Sequence, residues 1–297
     1  MSSSKVHLIE RAAEQLLRTG TAPDLAAPPP SDLNGVEAQP SAPRTTGQPA
    51  PAWQPSQMPV AMTTLTSAGL IENGSGRRRV SEEFRLVQSQ IVRAAFASEG
   101  GEAGFSNLLM VTSAKPQEGK TFAALNLAAG VARQGDRPVL LLDADAKQGS
   151  LSDTLGIAES PGLLDLAMAP AEDPVSLVRS TDLGMLSIMS VGGQRTERCE
   201  LIASEQMVRA LQALGRRFPD RLIIIDVSPC LSTSDPSALA PYVGQIVFVI
   251  EAERTQREEV EAALDLIQAC PSITLLLNKV RMSTPRSFGA YAYAYNS

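Results

Sequence analysis

The sequence predicts an α/β domain with a mostly parallel sheet that is covered by helices on both faces. The main observation is a series of short apolar runs that alternate with stretches of helical periodicity, a pattern typical of buried parallel strands. The apolar runs are NLLMVTS (107–113), RPVLLLDAD (137–145), GMLSIMSVG (184–192), RLIIIDVS (221–228), QIVFVIEA (245–252) and SITLLLNKV (272–280). The helical patterns lie near residues 80–95, 120–134, 200–216 and 254–268. A second observation is that carboxylate or amide side chains end several of the runs, at the sheet edge where α/β folds bind ligands.

Composition narrows the range of functions. The chain has 297 residues, of which 43% are hydrophobic, so a sizeable core is expected. The formal net charge of -6 argues against nucleic acid as the main ligand. Three widely spaced cysteines and a single histidine predict reduced thiols and no zinc site. No signal peptide and no apolar run of membrane-spanning length is found, which predicts a cytoplasmic protein without a membrane span of its own.

Periodicity and composition predict four segments. Residues 1–19 form an amphipathic helix, for which three roles are open: docking on the parent domain, binding a partner helix or lying on a membrane surface. Residues 20–76 contain ten of the 21 prolines and are predicted to be a disordered linker. Residues 77–286 form the α/β domain. Residues 287–297 are a tail that contains three of the four tyrosines, Tyr291, Tyr293 and Tyr295.

The first strand runs into SAKPQEGKTFAALNLA, which resembles the phosphate-binding loop pattern GxxxxGK[ST]. Gly119, Lys120 and Thr121 match it, whereas Ala114 stands in place of the first glycine. Backbone N–H groups of such a turn and of the helix that follows wrap phosphates. Lys120 would then reach the β and γ phosphates, and Thr121 would bind Mg²⁺. The predicted nucleotide-binding residues of this segment are Ala114, Lys115, Pro116, Gln117, Glu118, Gly119, Lys120, Thr121 and Phe122.

Three carboxylates end two further strands. Asp143 and Asp145 emerge on one face at the end of VLLLDAD, because alternate residues of a strand point the same way. Asp226 ends LIIID, the Walker B arrangement in which a carboxylate holds the Mg²⁺ shell. Asn278 follows the last strand, where its amide could recognise adenine or simply occupy a turn. The three carboxylates and the loop together predict a phosphoryl-transfer site that uses ATP and Mg²⁺.

The segments SAKPQEGKT, VLLLDADAKQGSL, IIIDVSP and ELIASEQM, together with the tyrosine tail, resemble the bacterial tyrosine autokinases, in particular the cytoplasmic type associated with exopolysaccharide and exosortase loci. The resemblance covers about residues 78–297, and LIERAAEQL also looks like the start of that subgroup. It implies that Lys120 and Thr121 hold phosphate and Mg²⁺, and that Asp145 and Asp226 complete the metal shell. Asp143 would orient or deprotonate an incoming tyrosine. The tail tyrosines would be the phosphate acceptors.

The same resemblance implies partners. A homo-oligomer is expected, together with an activating membrane protein of the polysaccharide co-polymerase, or chain-length, type that recruits the kinase to the inner face of the membrane. Departures from the family pattern are Gln117 in place of a loop glycine, Cys230 in place of a second proline, and Lys147 near an expected arginine. The oligomerisation motif, Glu followed by two arginines at intervals of three, is incomplete because it runs Glu82, Arg85 and Gln88.

Two other functions stay open. Lys115 occupies the position of the signature lysine of the partitioning and cell-division ATPases, which predicts a nucleotide-switched binding module; Pro116 and Gln117 do not fit that pattern. A catalytically weak scaffold for polysaccharide export is the other alternative, based on Ala114 and Gln117.

Overall fold

A computed structural model of the chain describes residues 57–71, 78–96, 105–135, 137–170, 173–193 and 195–280. The chain divides into two units, Met1–Ala50 and Pro51–Ser297, and all the described residues belong to the second. The predicted N-terminal helix, the linker residues before 57 and the tyrosine tail lie outside the described residues.

The described residues form an eight-stranded sheet in the order β1-β4-β5-β3-β6-β2-β7-β8. Every pair of neighbours is parallel except β4 and β5, which are antiparallel. The strands are β1 (Gln57–Val60), β2 (Leu108–Ser113), β3 (Val139–Ala144), β4 (Val178–Thr181), β5 (Leu186–Met189), β6 (Leu222–Val227), β7 (Gln245–Glu251) and β8 (Ile273–Asn278). All six predicted strands are confirmed, and the mostly parallel sheet is confirmed with them.

Nine α-helices are found within the described ranges. They are α1 (Met62–Ser67), α2 (Arg78–Phe96), α3 (Lys120–Gln134), α4 (Leu151–Thr154), α5 (Leu163–Met168), α6 (Arg195–Arg198), α7 (Glu205–Arg217), α8 (Asp235–Leu239) and α9 (Arg257–Ile267). Short 3₁₀ turns span Pro174–Leu177, Cys199–Ala203 and Ala240–Tyr242. Within the same part of the chain, no helix has both the length and the apolar character needed to cross a bilayer.

The core consists of two apolar layers, one on each face of the sheet. The central strands β2, β3 and β6 are buried at every position, which explains why they read as unbroken apolar runs. Helices α5 and α7 cover one face, and α3, with α2 outside it, covers the other. The alanines of α3 let this helix lie close to the strands, so the start of α3 is held firmly at the edge where β2, β3 and β6 end.

Residues 57–71 are ordered, which corrects the prediction of a disordered linker over 20–76. They were expected to be disordered, but β1 pairs with β4 at the edge of the sheet, and α1 and the following turn pack against α3. We call residues 57–71 the strap. Asn126 of α3 fixes its end, since the side chain accepts a hydrogen bond from the N–H of Ile71 at 2.9 Å and donates to the carbonyl of Gly69 at 3.1 Å. Leu65 of the strap is completely buried. Four buried apolar residues anchor the strap. The sequence pattern did not indicate structure here because so few apolar residues occur within a proline-rich segment.

Candidate active site

The segment between β2 and α3 forms a loop that wraps the start of the helix. Gln117 and Gly119 both have left-handed backbone conformations, with φ of 68° and 95°. The first N–H groups of α3 have no acceptor within the helix, and a left-handed residue just before them turns the loop into a concave nest of donors. Gly119 also needs to be glycine because a Cβ there would collide with the side-chain amide of Asn278. The local geometry is therefore that of an anion-binding loop.

Lys120, the first residue of α3, points its ammonium at two carboxylates. Its Nζ atom lies 2.9 Å from Oδ2 of Asp145 and 3.2 Å from Oδ1 of Asp226. Burial of the ammonium lowers its pKa, but the charges of Asp226 and Asp145 outweigh this effect and raise the pKa well above the usual lysine value. Lys120 is thus charged at neutral pH, and it lies where the ends of β3 and β6 meet the loop between β2 and α3.

Thr121 completes the contact with β6. Its hydroxyl donates to Oδ2 of Asp226 at 2.6 Å. Asp226 is fully buried, and this burial raises its pKa to about 6, although Lys120 opposes the effect. Both oxygens of Asp226 have donors, one from Lys120 and one from Thr121.

Asp145 follows β3 and faces the same point from the neighbouring strand. Its Oδ1 atom accepts hydrogen bonds from the hydroxyl of Ser228 at 2.9 Å and from the N–H of Lys147 at 3.2 Å. Burial alone would raise the pKa of Asp145, but the charge and hydrogen bond of Lys120 hold it below the usual value. Asp145 is therefore an ionised acceptor that its loop and β6 hold in place.

Asp143 lies next to Asp226 in the register of β3 and β6, but it is directed away from solvent. Its two oxygens accept hydrogen bonds from the backbone N–H groups of Asp145 at 3.0 Å and Ser152 at 2.7 Å. Burial raises the pKa of this carboxyl. This geometry differs from the expected contact with an incoming hydroxyl. It suits a side chain that holds the Asp145 loop and the start of α4. Contact of Asp143 with a substrate hydroxyl stays a prediction.

The oxygen atoms available to a metal ion at this edge are those of Thr121, Asp145 and Asp226. Among the described residues, no group of three His, Cys, Asp or Glu side chains forms a complete metal site. Mg²⁺ commonly binds proteins through one or two carboxylates, with water and substrate phosphates completing the shell. The residues present therefore fit a Mg²⁺ ion that arrives with a nucleotide.

Several of the predicted nucleotide-binding side chains lie beside the loop instead of in it. Phe122 packs edge-to-face against Phe84 of α2, with ring centroids 6.2 Å apart, so its side chain faces α2 and the strap. Asn278 donates from Nδ2 to the carbonyl of Glu118 at 2.8 Å, which places it against the loop backbone. Adenine recognition by Asn278 stays a prediction.

Lys115 is paired within its own chain. Its Nζ atom lies 2.7 Å from Oε2 of Glu259, near the start of α9. Ala114, the residue in place of the first glycine, is completely buried, and its carbonyl accepts a hydrogen bond from the N–H of Leu231. Ala114 is not among the residues with positive φ, so its backbone conformation does not require glycine.

The chain is similar in sequence to several bacterial proteins, most of which are named tyrosine-protein kinases. The tyrosine-protein kinase Ptk of Acinetobacter johnsonii is 30% identical over 160 residues, which are 54% of this chain and 21% of Ptk. The succinoglycan biosynthesis transport protein ExoP of Rhizobium meliloti is 30% identical, over 70% of this chain and 26% of ExoP. The tyrosine-protein kinase YwqD of Bacillus subtilis is 26% identical, over 71% of this chain and 86% of YwqD. The chain is a homologue of bacterial tyrosine kinases. No family model matches the chain.

A solved kinase domain agrees with this relationship. The VpsO kinase domain superposes with a TM-score of 0.52 at 28% identity, covering 67% of this chain and 98% of that domain. Similarity to this solved kinase domain thus extends over about two thirds of the chain, while the chain spans only about a quarter of the length of Ptk or ExoP.

The sequence missed three contributors to the site. Ser228 holds Asp145, Thr255 contacts the buried loop residue Glu118 from the turn after β7, and Lys279 contacts the loop from the end of β8. Serine, threonine and lysine are common in loops at strand ends, so no sequence pattern distinguished these residues. Only Ser228 had a signal, because it stands in the segment IIIDVSP directly after the strand.

Proposed function

We propose that the chain is an ATP-dependent protein-tyrosine kinase that phosphorylates its own C-terminal tyrosines and thereby regulates exopolysaccharide synthesis or export. The observation that carries this proposal is the position of Lys120, whose ammonium lies between Asp145 and Asp226 at the start of the phosphate-loop helix. Homology to tyrosine kinases and to ExoP supports the reaction and the pathway.

In this proposal, the nest of N–H groups before α3 binds the phosphates of ATP, and Lys120 moves from its carboxylates toward the β and γ phosphates. Thr121, Asp145 and Asp226 would hold a Mg²⁺ ion, which would supply positive charge next to the phosphates. The tyrosine oxygen then bonds to the γ phosphorus as the bond to ADP breaks. Asp143 as the acceptor of the hydroxyl proton stays a prediction. Its contacts with Asp145 and Ser152 favour a role in holding the Asp145 loop.

The proposed acceptors are Tyr291, Tyr293 and Tyr295. A tail attached to the domain gives its hydroxyls a high local concentration at the site of a neighbouring subunit. Each phosphate adds about 1.5 to 2 negative charges. A modified tail is then repelled by Asp145 and Asp226, which gives phosphorylation a way to loosen an assembly. Comparing the oligomer size of phosphorylated and dephosphorylated protein by light scattering tests this step, and an unchanged size contradicts it.

The expected partners are further copies of the chain and a membrane activator of the polysaccharide co-polymerase type. Recruitment to the inner face of the membrane would follow from that contact. Co-purification with fragments of candidate membrane proteins, read out by an increase in phosphotyrosine, tests this part of the proposal.

The nucleotide-switched ATPase gains no support from Lys115. If the chain were such an ATPase, Lys115 would be the signature lysine of a protein that dimerises around ATP. In the structure its ammonium is paired with Glu259 of the same chain. The scaffold alternative predicts nucleotide binding without phosphate transfer, so an assay of both activities separates it from the kinase.

The test is incubation of the full chain with MgATP, followed by mass-spectrometric mapping of phosphate. We expect phosphate on the tail of the wild type and none on a Lys120→Met variant or on a Tyr291/Tyr293/Tyr295→Phe variant. Lys5→Met, the same exchange outside the predicted α/β domain, serves as the control and keeps full activity. ATP turnover without phosphotyrosine, with a candidate activator fragment present, contradicts the kinase and favours the switch ATPase.

A further inference from the structure

Residues at the end of β8 hold the outer side of the phosphate loop. Asn278 donates to the carbonyl of Glu118 at 2.8 Å, and Nζ of Lys279 donates to the carbonyl of Gln117 at 2.6 Å. Lys279 is itself held by Oε2 of Glu251, at 3.2 Å. Because these two carbonyls are held on the β8 side, the peptide groups of the loop have a defined orientation before any ligand binds.

The side chain of Glu118 makes a second connection on the inner side of the loop. It is only 2% exposed. Its Oε2 atom accepts a hydrogen bond from the N–H of Lys115 at 2.7 Å, which closes the loop on itself. Its Oε1 atom accepts a hydrogen bond from the hydroxyl of Thr255. A buried carboxylate requires such donors, because a charge that loses its partner in the interior is costly.

Thr255 lies in the turn between β7 and α9, far from the loop in sequence. Its hydroxyl accepts a hydrogen bond from the N–H of Glu251 at 3.2 Å as well as donating to Glu118. The turn is tight, since Glu253 within it has φ of 63°. Glu259, the residue paired with Lys115, also caps the start of α9 by accepting from the N–H of Gln256 at 2.9 Å. The hydroxyl is thus fixed on both sides, and it joins the turn to the loop.

We infer that Thr255 is a positioning residue for nucleotide binding, which acts by holding the buried carboxylate of Glu118 and through it the phosphate loop. The inference rests on the proposed function, because it assumes that this loop binds nucleotide phosphates. Without the hydroxyl, Oε1 of Glu118 loses its donor, and the carboxylate turns toward water and releases the N–H of Lys115. The loop then has to be ordered by the ligand, and affinity is lost.

The test is calorimetric titration of the full chain with MgADP. Thr255→Val removes the hydroxyl at nearly constant volume, and Thr255→Ser retains it. We expect Thr255→Val to weaken MgADP binding about tenfold and Thr255→Ser to restore it to within about twofold of the wild type. The restoration by serine is a result that a general loss of packing does not produce.

Thr181→Val is the matched control. Thr181 is buried, and like that of Thr255 its hydroxyl accepts one backbone N–H, from Leu183 at 3.1 Å, and donates one hydrogen bond, here to the carbonyl of Leu186 at 3.0 Å. It lies in β4, near the opposite edge of the sheet from β8. We expect Thr181→Val to lower the melting temperature without changing the affinity for MgADP.

The outcomes separate the inference from the proposed function. If the wild type binds MgADP and a folded Thr255→Val variant binds it equally well, the inference is wrong and the proposed function is untouched. If the folded wild type does not bind MgADP, both are wrong. Should Thr255→Val fail to fold, Thr255→Ala replaces it in the same titration, since the smaller side chain avoids placing a methyl group against Glu118.

Discussion

Nζ of Lys120 lies 2.9 Å from Oδ2 of Asp145, and both side chains are nearly buried, with exposures of 11% and 10%. The same ammonium contacts Asp226, so one positive charge faces two carboxylates. The cluster therefore carries excess negative charge. Under the proposed function, Asp145 and Asp226 would hold a divalent cation that neutralises this charge, and the ammonium of Lys120 would pair with a nucleotide phosphate.

Replacement of Lys120 is expected to affect stability as well as catalysis. Lys120→Met abolishes phosphate transfer, and it leaves Asp145 and Asp226 buried without their shared cation. Breaking a buried ion pair by removing one partner costs about 3 kcal/mol. Urea unfolding at pH 7 should show a loss of this size. Lys115→Met, which removes a more exposed ammonium, should cost less than about 1 kcal/mol. Equal losses for the two variants would contradict the assigned role of the buried cluster.

Thr121 is expected to act through the metal. Thr121→Val removes the hydroxyl that lies against Asp226, whereas Thr121→Ser keeps the same oxygen. Fluorescence titration with ADP in the presence of Mg²⁺ should show a loss of about tenfold for valine and little change for serine. In EDTA, the valine variant and the wild type should bind ADP equally. A loss that is the same with and without Mg²⁺ would exclude a metal role for this hydroxyl.

Gln117 has a left-handed backbone conformation, which costs residues other than glycine about 1 kcal/mol. Gln117→Gly relieves this strain in the folded protein. Glycine also gives the unfolded chain more conformational freedom, which offsets part of the stabilisation. We expect the free energy of unfolding to stay constant or to rise by up to about 1 kcal/mol. Gln90→Gly, at an exposed position within α2, should lower it by about 1 kcal/mol. A similar loss for both variants would show that Gln117 is not strained.

The ion pair between Asp153 and Arg195 gives a prediction on pH. Their oxygen and nitrogen atoms lie 2.6 Å apart, and Asp153 also accepts the N–H of Gly149 at 2.7 Å. The hydrogen bond of Arg195 is the main cause that lowers the pKa of Asp153. A lowered pKa means that the folded protein binds the proton less tightly than the unfolded chain, in which an aspartate has a pKa of about 3.9. The stabilisation is therefore complete well above pH 4, and it is lost as the pH falls through the folded-state pKa.

Asp153→Asn tests this prediction by urea unfolding between pH 7 and pH 3. The wild type should be more stable than the variant by about 1 kcal/mol at pH 7. The difference should shrink as the pH falls below about 4. Glu205→Gln, which removes the carboxylate of an exposed pair with Arg209, should differ little from the wild type at any pH. A difference for Asp153→Asn that does not depend on pH would show that its carboxylate charge contributes nothing.

Much of the fold could be predicted because buried parallel strands leave an unbroken apolar signal. LLLDAD and IIID also place their carboxylates correctly, since the end of a parallel strand defines an edge that neighbouring strands share. The approach of Lys120 to Asp145 and Asp226 follows from that shared edge.

The contacts that the sequence did not predict depend on single residues in distant loops. The bond between Thr255 and Glu118 joins residues 137 positions apart, and no periodicity connects them. The hydrogen bonds of Asp143 could not be predicted for a related reason. Alternation predicts the face on which a side chain lies, but the backbone N–H of Ser152 determines what its carboxylate binds. The strap was missed because its strand has four residues and pairs only at the sheet edge.

The most direct measurement is a complementation assay between two inactive variants. Lys120→Met keeps the tail tyrosines but lacks the proposed catalytic lysine, and Tyr291/Tyr293/Tyr295→Phe keeps that lysine but lacks the proposed acceptors. The two are mixed with MgATP, and phosphotyrosine is mapped on each chain. The account predicts phosphate on the tail of the Lys120→Met chain in the mixture and none when either variant is incubated alone. A wild type that consumes ATP but carries no phosphate on its tail, together with an unmodified mixture, would contradict the central claim.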